Sequence, residues 1–397
     1  MKTLLMLGGG FLQCFVIRKA KELGYRVLVL DADSNAMGFQ YADGFDVINI
    51  VDEDTCLRYA IEHRVDGVLT AATDFGVLTM SHIAEAMHLP GINYQAAKTI
   101  KNKADVRKCL FDAHADDTGY SFEIDSIDKI PSILPRIKLP VMMKPVDGSG
   151  SRGASKVNHI RDFAKACEFA MSGSISHRAV AEPFIVGKEY GVESFVDHGK
   201  IYVLGIMRKE MTLPPYYAEL GHAIPSGLSP EMEVRIKASV EKALEALGVN
   251  HGSVNMDLLV GEEGDIHIVD VGARMGGNLI GSHIIPMGTG IAYMDNMIRA
   301  AMSDPTDFSP MNSIRPVATK LLALTPGKIV ALPNFKKIAN KFDIMIEHHL
   351  TVGETINEYH TNLDGCGYVV ATGKDVEDAQ KKALAGKEMI DKLIVRA

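Results

Sequence analysis

The strongest local signal for chemistry in this sequence is a lysine followed by a glycine-rich loop. Lys144 ends the apolar run PVMMK, and the next nine residues read PVDGSGSRG. Such a loop can turn successive backbone N–H groups toward phosphate oxygens, while the lysine adds a positive charge. It is not a P-loop, because Ala154 and Ser155 stand where Lys-Ser or Lys-Thr is required. The segment therefore predicts a phosphate site, with a solvated hairpin as the alternative. The residues of this loop are Gly148, Ser149, Gly150, Ser151, Arg152 and Gly153.

Two aspartates further along the chain have the types and placement of metal ligands. Asp257 and Asp270 each lie in an apolar run that reads as a strand, and Gly264 marks a turn between the two runs. Two strands joined in this way can bring their carboxylates face to face. Paired carboxylates beside a polyphosphate are what a hard cation such as Mg²⁺ requires. Each aspartate alone also fits an ordinary carboxylate at a strand edge or turn.

The order of these residues along the chain resembles that of the ATP-grasp superfamily of ADP-forming ligases. The resemblance spans nearly the whole chain. Its three-part plan is shared by biotin carboxylase-like members, purine-pathway carboxylase and glycinamide ligases, and L-amino-acid ligases. No single motif is specific, but their shared order over about 170 residues is. The residues that carry it are Lys103, Lys144 with its glycine loop, Glu182, Glu189, Asp257, Asp270 and Arg274.

The resemblance implies roles for the positively charged residues. Lys103 and Lys144 match the two lysines that hold the phosphates of ATP, and residues 148–153 match the mobile loop that covers them. Arg274 matches the arginine that steadies an acyl phosphate and the transition state. Residues 115–182 are accordingly expected to form a lid that moves when nucleotide binds.

The resemblance also implies a nucleotide and metal set of ATP with Mg²⁺, or Mn²⁺ in its place. Glu182 and the backbone of Phe184 and Ile185 match the hinge that reads the adenine edge, and Glu189 matches the carboxylate that binds the ribose. Asp257 and Asp270 occupy the metal-ligand positions.

The sequence departs from the family pattern at the metal positions. Aspartates replace the usual glutamates, and Gly272 stands where an asparagine is expected. Asn255 or Asn278 could supply the missing oxygen. The number of metal ions therefore stays open.

Other polar residues give softer signals. Gly8, Gly10 and Gln13 with Asp31 imitate a dinucleotide fingerprint, but the third glycine is missing, which favours a structural or substrate-facing role. Asp74 follows a predicted strand, where it could touch a substrate or cap a helix.

Residues 208–229 read as a Pro-, Tyr- and Gly-bearing insertion that is too irregular for the core. In carboxylate–amine ligases of the family, the matching stretch approaches the acceptor. Glu219, His222 and Ser226 are therefore candidate substrate contacts, with a packed linking loop as the alternative.

The elements that must position these residues change character along the chain. Short β-branched runs at 4–7, 27–30, 47–50 and 65–69 alternate with amphipathic stretches, which predicts an open, doubly wound α/β domain. A small α+β unit follows, then long strands with an inserted helix at 230–247, and last a helix at 376–393. With the resemblance, this predicts an ATP-grasp fold with domains at 1–98, 99–182 (linker helix and lid), 183–310 (catalytic part) and 311–397 (C-terminal α+β part).

Composition excludes several classes of protein. The 397 residues carry 42 basic and 50 acidic side chains, a net charge of −8, so no nucleic-acid groove or basic membrane face is expected. The glycines and Gln13 interrupt the apolar N-terminus, which argues against a signal peptide. The five scattered cysteines fit a reducing cytoplasm, and the 14 histidines show no paired ligand spacing. A soluble cytoplasmic protein is expected, and the resemblance adds a homodimer.

These observations lead to an ATP-dependent ligase that activates a small-molecule carboxylate as an acyl phosphate and transfers it to an amine. The nearest alternative is a bicarbonate- or formate-activating enzyme of the purine or carbamoyl-phosphate type. A dinucleotide-dependent oxidoreductase and a non-catalytic nucleotide-binding protein are more distant alternatives. The sequence identifies neither the carboxylate nor the amine.

Overall fold

The computed structural model describes residues 1–148, 152–214, 216–311 and 313–397. Its N-terminal part is an open parallel sheet in the order β3-β2-β1-β4, with Leu4 beside Val27 on one side and Gly67 on the other. Buried apolar runs form β1, β2 and β4, as expected for parallel strands covered by helices. The elements are β1 (Thr3–Leu7), α1 (Gln13–Glu22), β2 (Arg26–Asp31), β3 (Gly44–Val47), α2 (Glu53–Glu62), β4 (Gly67–Leu69) and α3 (Val77–Ala86).

The third strand lies earlier in the chain than predicted. The sequence placed it at 47–50, whereas β3 pairs with β2 from Gly44 to Val47. Ile48 and Ile50 are apolar because they pack against the core after the strand has ended. The side chains of this edge strand are largely exposed, so a run of apolar residues did not indicate where the strand lies.

The order of the sheet reverses at β1, which brings the segments after β1 and β4 together. The side-chain amide of Gln13 donates to the carbonyl of Ala71, and the N–H of Gly9 donates to Asp31 Oδ2 at 2.7 Å. Asp31 thus stabilises the glycine turn, which agrees with a structural role. Ligands of open α/β sheets bind at such a reversal, outside the carboxyl ends of the strands.

Two helices lead from this sheet into a small α+β unit. Asn102 caps the second helix by accepting from Ala104 N at 2.9 Å, and Lys103 follows as its first residue. The strands of the unit pair antiparallel in the order β5-β8-β6-β7 around a core that includes Met143 and Phe163. The elements are α4 (Tyr94–Lys101), α5 (Lys103–Asp112), β5 (Phe122–Ile124), α6 (Ile130–Ile133), β6 (Val141–Pro145), β7 (Ser155–Val157), α7 (Phe163–Ser172) and β8 (Ala179–Pro183).

A long antiparallel sheet forms the centre of the molecule. Its order in the described part of the chain is β13-β12-β9-β10-β11-β14-β18-β16. The strands and helices of its first half are β9 (Lys188–Asp197), β10 (Lys200–Met211), β11 (Glu219–Ile224), α8 (Pro230–Ala246), β12 (Gly252–Val260), β13 (Ile266–Gly272), α9 (Ile285–Thr289) and α10 (Tyr293–Ala301). The C-terminal part adds β14 (Val317–Leu321), β15 (Gly327–Ala331), α11 (Phe335–Phe342), β16 (Ile344–His348), β17 (Thr355–Ile356), β18 (Gly367–Thr372), α12 (Val376–Leu393) and β19 (Val395–Arg396).

Strand β11 corrects the prediction of an irregular insertion at 208–229. β10 continues to Met211, and Glu219–Ile224 returns as a sheet strand with Gly221 to Ile224 buried. Pro214, Tyr216 and Tyr217 belong to the connection between the two strands, so the irregular composition does not extend over the whole segment. A separate finding concerns the helices of the described residues: none is both long and apolar enough to cross a membrane.

Candidate active site

A cavity of about 600 Å³ lies where the N-terminal sheet, the small α+β unit and the central sheet meet. This volume is in the usual range for small-molecule sites. Most of the side chains singled out in the sequence line it, although they come from segments up to 200 residues apart. These are Asp74, Lys103, Lys144, Gly148, Arg152, Glu182, Phe184, Ile185, Glu189, Glu219, His222, Asp257, Asp270 and Arg274.

The two candidate metal ligands are direct cross-strand neighbours. Asp257 on β12 pairs in register with Asp270 on β13, so both carboxylates lie on the same face of the sheet. Asp270 forms an ion pair with Lys103. Burial alone would raise the pKa of Asp270, but Lys103 outweighs it and holds that pKa below its usual value. Asp270 is therefore a carboxylate at neutral pH.

Asp257 has a different partner, which the sequence did not reveal. The ammonium of Lys209 lies 2.9 Å from Asp257 Oδ2, 2.6 Å from Glu219 Oε1 and 2.7 Å from Glu189 Oε1. Lys209 has only 1% of its side chain exposed. Burial and the neighbouring carboxylates raise the pKa of Asp257, and Lys209 offsets this only in part. One buried cation thus ties together strands β9, β10, β11 and β12.

Lys144 and Glu182 form a second buried ion pair across β6 and β8. The guanidinium of Arg107 approaches Glu182 Oε2 to 3.7 Å and also contacts Asp116 Oδ2 at 2.9 Å. Burial would raise the pKa of Glu182, but Lys144 and Arg107 hold it below its usual value. Arg107, which the sequence reading left without a role, anchors α5 to this part of the cavity.

The hinge after β8 has one of its backbone donors already engaged. The N–H of Phe184 donates to the carbonyl of Pro140 at 3.1 Å, and the ammonium of Lys156 lies 4.0 Å from the centre of the Phe184 ring. Ile185 follows on the cavity wall. Gly148 and Arg152 also line the cavity, whereas Ser149, Gly150 and Ser151 lie outside the described residues.

Arg274 reaches across to the N-terminal sheet. Its Nε lies 3.0 Å from Asp74 Oδ1, while its Nη1 is buried with no hydrogen-bond partner in the described part of the chain. Asp74 does not cap α3, whose first turn follows Gly76. Gly272 explains part of the geometry, because a Cβ there would stand 2.9 Å from the Arg274 guanidinium carbon. A small residue at 272 therefore leaves the space that Arg274 occupies.

A buried glutamate holds the segment that carries Arg274. Glu193 on β9 accepts from Gly276 N at 3.0 Å, from Asn255 Nδ2 at 2.9 Å and from the hydroxyl of Tyr293. Burial raises the pKa of Glu193 to about 7. Asn255, a candidate for the missing metal ligand, pairs in register with Gly272. Its side-chain amide nitrogen donates to Glu193.

Glu219 accepts hydrogen bonds from the segment after β13 and from the C-terminal part. Asn362 Nδ2 donates to Glu219 Oε2 at 3.0 Å, and Asn278 Nδ2 donates to the same oxygen. The hydroxyl of Tyr368 in turn donates to Asn278 Oδ1 at 2.8 Å. These C-terminal contacts escaped the sequence reading, because Asn362 and Tyr368 carry no motif of their own.

Of the three residues proposed around the acceptor, two line the cavity and one does not. Burial lowers the pKa of His222 to about 4, so its imidazole is neutral, and its Nδ1 has no hydrogen-bond partner among the described residues. Ser226 is buried elsewhere, where it donates to Glu233 Oε1 at 2.6 Å and accepts from Leu228 N at 3.1 Å. Ser226 belongs to the turn before α8, because the chain leaves the sheet after Ile224.

The donor set fits a magnesium–nucleotide complex. Two facing carboxylates supply the oxygen ligands that Mg²⁺ prefers. Lys103, Lys144 and Arg274 line the same cavity, where their positive charges can meet anionic oxygens.

The chain is similar in sequence to known proteins over part or most of its length. The model of the ATP-grasp domain family matches residues 137–282, which run from just before β6 to the segment after β13. An uncharacterized protein, y4rH, from Sinorhizobium fredii is 24% identical over 386 residues, covering 94% of this chain and 79% of its own. A formate-dependent phosphoribosylglycinamide formyltransferase from Methanococcus maripaludis is 28% identical over 189 residues, or 46% of this chain. That match spans 48%, about half, of the formyltransferase.

The fold itself is shared with solved structures. The crystal structure of an L-amino acid ligase from Bacillus licheniformis superposes with a TM-score of 0.83 at 20% sequence identity. The match covers 100% of this chain and 99% of the ligase chain. The predicted combination of a doubly wound N-terminal domain, a small subdomain and a C-terminal α+β part is therefore confirmed as a fold.

Proposed function

We propose that this chain, which carries an ATP-grasp domain in an ATP-grasp fold, is an ADP-forming ligase that joins a small-molecule carboxylate to an amine. The observation that carries the proposal is the register pairing of Asp257 with Asp270 in a cavity that also holds Lys103, Lys144 and Arg274. Phosphoryl transfer builds negative charge on oxygens, and these groups can counter it where it develops.

The reaction has two steps and needs no side-chain nucleophile. The substrate carboxylate attacks the γ-phosphorus of ATP, the bond to the β-phosphate oxygen breaks, and ADP leaves an acyl phosphate behind. The amine then attacks the acyl carbon, phosphate departs, and the nitrogen loses a proton to give the amide. Catalysis in such a scheme rests on positioning and on charge.

The nucleotide would lie between the small α+β unit and the central sheet. Lys103 and Lys144 are suited to the phosphates, together with the loop at 148–153. Both lysines already have carboxylate partners, Asp270 and Glu182, that arriving phosphates would compete with. Glu182 and the Ile185 N–H are suited to the adenine edge, because the Phe184 N–H is taken by Pro140.

Asp257 and Asp270 are the residues we propose to hold Mg²⁺, or Mn²⁺ in its place, and Glu189 to bind the ribose. The ion, when bound, supplies positive charge at the phosphate oxygens. Gly272 offers no ligand, and Lys209 already lies against Asp257. Lys209 therefore supplies fixed positive charge beside one of the two proposed metal ligands.

The acceptor side would lie near Glu219, His222 and Asp74. Neutral His222 lines the cavity, and its Nδ1 has no hydrogen-bond partner among the described residues. Glu219 is held by Lys209, Asn278 and Asn362. Arg274 lines the cavity, and its Nη1 has no hydrogen-bond partner in the described part of the chain, so the guanidinium is suited to an acyl phosphate. This arrangement supports a substrate that carries both an anionic and a hydrogen-bonding group.

The test is a screen of carboxylates against pooled amines, with release of ADP and phosphate as the readout. We expect ADP release to depend on one carboxylate–amine pair and to be lost in Asp270→Asn. ADP release with formate or bicarbonate alone would favour the alternative activation reaction. Binding of Mg-ATP without turnover by any pair would contradict the ligase, and oxidation of a nicotinamide cofactor followed at 340 nm would support the oxidoreductase instead.

We further propose that the enzyme is a homodimer of the cytoplasm, which rests on the family resemblance and on the scattered cysteines. Light scattering coupled to size-exclusion chromatography tests the first point, because a dimer has twice the mass of the chain. Fractionation of cells that express the chain tests the second.

A further inference from the structure

A cluster of two histidines and one aspartate lies at the opposite end of β9 from the cavity. Asp197 ends β9, His198 follows in the turn to β10, and His251 precedes β12. The pairing of Val196 with Gly252 brings the three together. One ligand atom of each lies within 4.8 Å of the others. Glu189 is eight residues away along the strand, or about 26 Å at about 3.3 Å per residue, so the cluster is separate from the cavity.

His251 is a buried side chain that faces Asp197. Only 6% of the residue is exposed. Its Nδ1 faces Asp197 Oδ1 at 3.7 Å, which is too long for a hydrogen bond. The rings of Phe195 and His198 pack edge-on against it, at 5.7 and 5.2 Å between ring centres. The imidazole nitrogen and the carboxylate oxygen therefore lie close together without a hydrogen bond between them, and one metal ion could bind both.

The carboxylate is oriented toward the histidines by a neighbour on its other side. Thr306 Oγ1 donates to Asp197 Oδ2 at 2.8 Å, which leaves Oδ1 for His251 and for His198, whose Nδ1 lies 2.7 Å away. Metal-binding carboxylates are commonly fixed in this way by a second hydrogen bond. His198 has 81% of its side chain exposed, so it can turn from Asp197 to a bound ion, and solvent can reach the ion.

We propose that Asp197, His198 and His251 bind one divalent transition-metal ion of the Zn²⁺ class. Zinc binds imidazole nitrogen and carboxylate oxygen at about 2.0–2.2 Å, so two ligand atoms in tetrahedral arrangement stand about 3.4 Å apart. The gap between His251 and Asp197 is close to this value. Imidazole donors suit Zn²⁺ and Co²⁺ and do not suit Mg²⁺, so the cluster and the cavity would take different ions.

The ion would join three parts of the chain. It would hold the β9–β10 turn to the start of β12 and, through Thr306, to the segment after α10. Lys2 of the N-terminal sheet contacts that segment, at the Met302 carbonyl and at Asp304. We therefore assign the ion a structural role, in which binding to the native state raises stability.

The experiment is a Co²⁺ titration of untagged protein that has been stripped with a chelator, followed by visible absorption and competition with Zn²⁺. We expect one Co²⁺ per chain and a rise in melting temperature with Zn²⁺. Affinity should fall at least about tenfold in His198→Gln and in Asp197→Asn, and more in His251→Gln. His198 is exposed, so that variant should fold even if His251→Gln does not.

The matched control is His177→Gln, because His177 is also exposed and also has a positive φ, 53° against 48° for His198. It should bind Co²⁺ as tightly as the parent protein. Asp270→Asn should do so too, which keeps this result independent of the proposed function. Equal Co²⁺ affinity in His198→Gln, Asp197→Asn and the parent protein would overturn the proposal, as would a Zn²⁺-induced rise in melting temperature that all variants share.

Discussion

At one end of β9, Glu189 shares the buried ammonium of Lys209 with Glu219 and Asp257; at the other end, Asp197 faces two imidazoles. The first group consists of carboxylate oxygens around a lysine ammonium, and it lines the large cavity. The second is small, lies at a turn and presents nitrogen atoms. Since hard cations prefer oxygen and zinc-like ions accept nitrogen, one strand offers two ionic environments of different selectivity.

The comparison also shows how the two ends deal with charge. The cavity end buries charge and compensates it inside the protein, as the contacts of Lys209, Lys103 and Lys144 show. The turn end leaves His198 in solvent. Removing a charge should therefore cost much more stability at the cavity end.

The largest effect is expected from Lys209→Met. Its loss leaves Glu189, Glu219 and Asp257 facing one another without a cation, and breaking a buried ion pair typically costs about 3–5 kcal/mol. Urea unfolding at neutral pH measures the change. The control is Lys200→Met at the exposed start of the same strand, which should stay within about 0.5 kcal/mol of the parent protein. Similar stabilities for the two variants would mean that losing a charge costs the same at both ends of these strands.

Arg274→Ala should lower kcat by a factor of about 10²–10³ and leave the dissociation constant of ATP nearly unchanged. An arginine that acts mainly on charge developing in the transition state contributes little to binding of the ground state. Single-turnover ADP formation and nucleotide binding measure the two quantities, with the proper carboxylate and amine supplied.

Two variants help to interpret that result. Asp74→Asn removes the ion pair but keeps the guanidinium, so it should lose far less activity than Arg274→Ala. Lys144→Ala should damage both kcat and ATP binding, because that lysine holds phosphate before and during transfer. Full activity in folded Arg274→Ala would refute the proposed role of Arg274 in the transition state. Equal losses of activity in the Arg274 and Asp74 variants would mean that Arg274 acts only through its ion pair with Asp74.

Asp270→Asn and Asp257→Asn should each reduce the stabilisation that Mg-ATP gives against heat. A ligand present at 100 times its dissociation constant stabilises the native state by about 2.7 kcal/mol, and the metal-dependent part of this should be lost. Melting curves with ATP, with and without Mg²⁺, measure it. Asp197→Asn, from the other end of β9, should respond as the parent protein does. If the Asp257 and Asp270 variants also respond like the parent, the metal assignment fails.

The smallest effect is expected from Glu193→Gln, midway along β9. Burial raises the pKa of Glu193 to about 7, so the folded protein keeps a proton that the unfolded chain releases at lower pH. The free energy of unfolding therefore falls as pH rises toward about 7. Glutamine carries no charge, so this fall should shrink and the variant should gain stability at pH 8 relative to the parent protein.

Melting temperatures from pH 5 to pH 8 test the Glu193 prediction. Glu62→Gln, on the exposed face of α2, is the control and should leave the pH dependence unchanged. An identical pH dependence in Glu193→Gln and the parent protein would mean that Glu193 is ionised in the folded state across this range.

Most of the residues singled out in the sequence line one cavity, and the clearest of them carried a local pattern. Lys144 ends a strand before glycines, and Asp257 and Asp270 interrupt apolar runs on either side of a turn. Such patterns arise from the alternation of side chains along a strand and from the residue types that turns prefer. Both depend on residues that are close together in the sequence. The same reasoning misplaced β3 by three residues and missed β11, because edge strands and prolines near a strand weaken the pattern.

The sequence by itself determined the fold class and the order of the candidate site residues, and it predicted a hard cation for the aspartates. Only the tertiary structure decided that Lys209 contacts Asp257, that Arg274 pairs with Asp74, and that Ser226 lies outside the cavity. It alone brought His251 to His198, 53 positions earlier, although no spacing among the histidines predicted a site. The physical reason is that buried charges and metal ligands find partners across strands, and the distance between strands in space is independent of their separation along the chain.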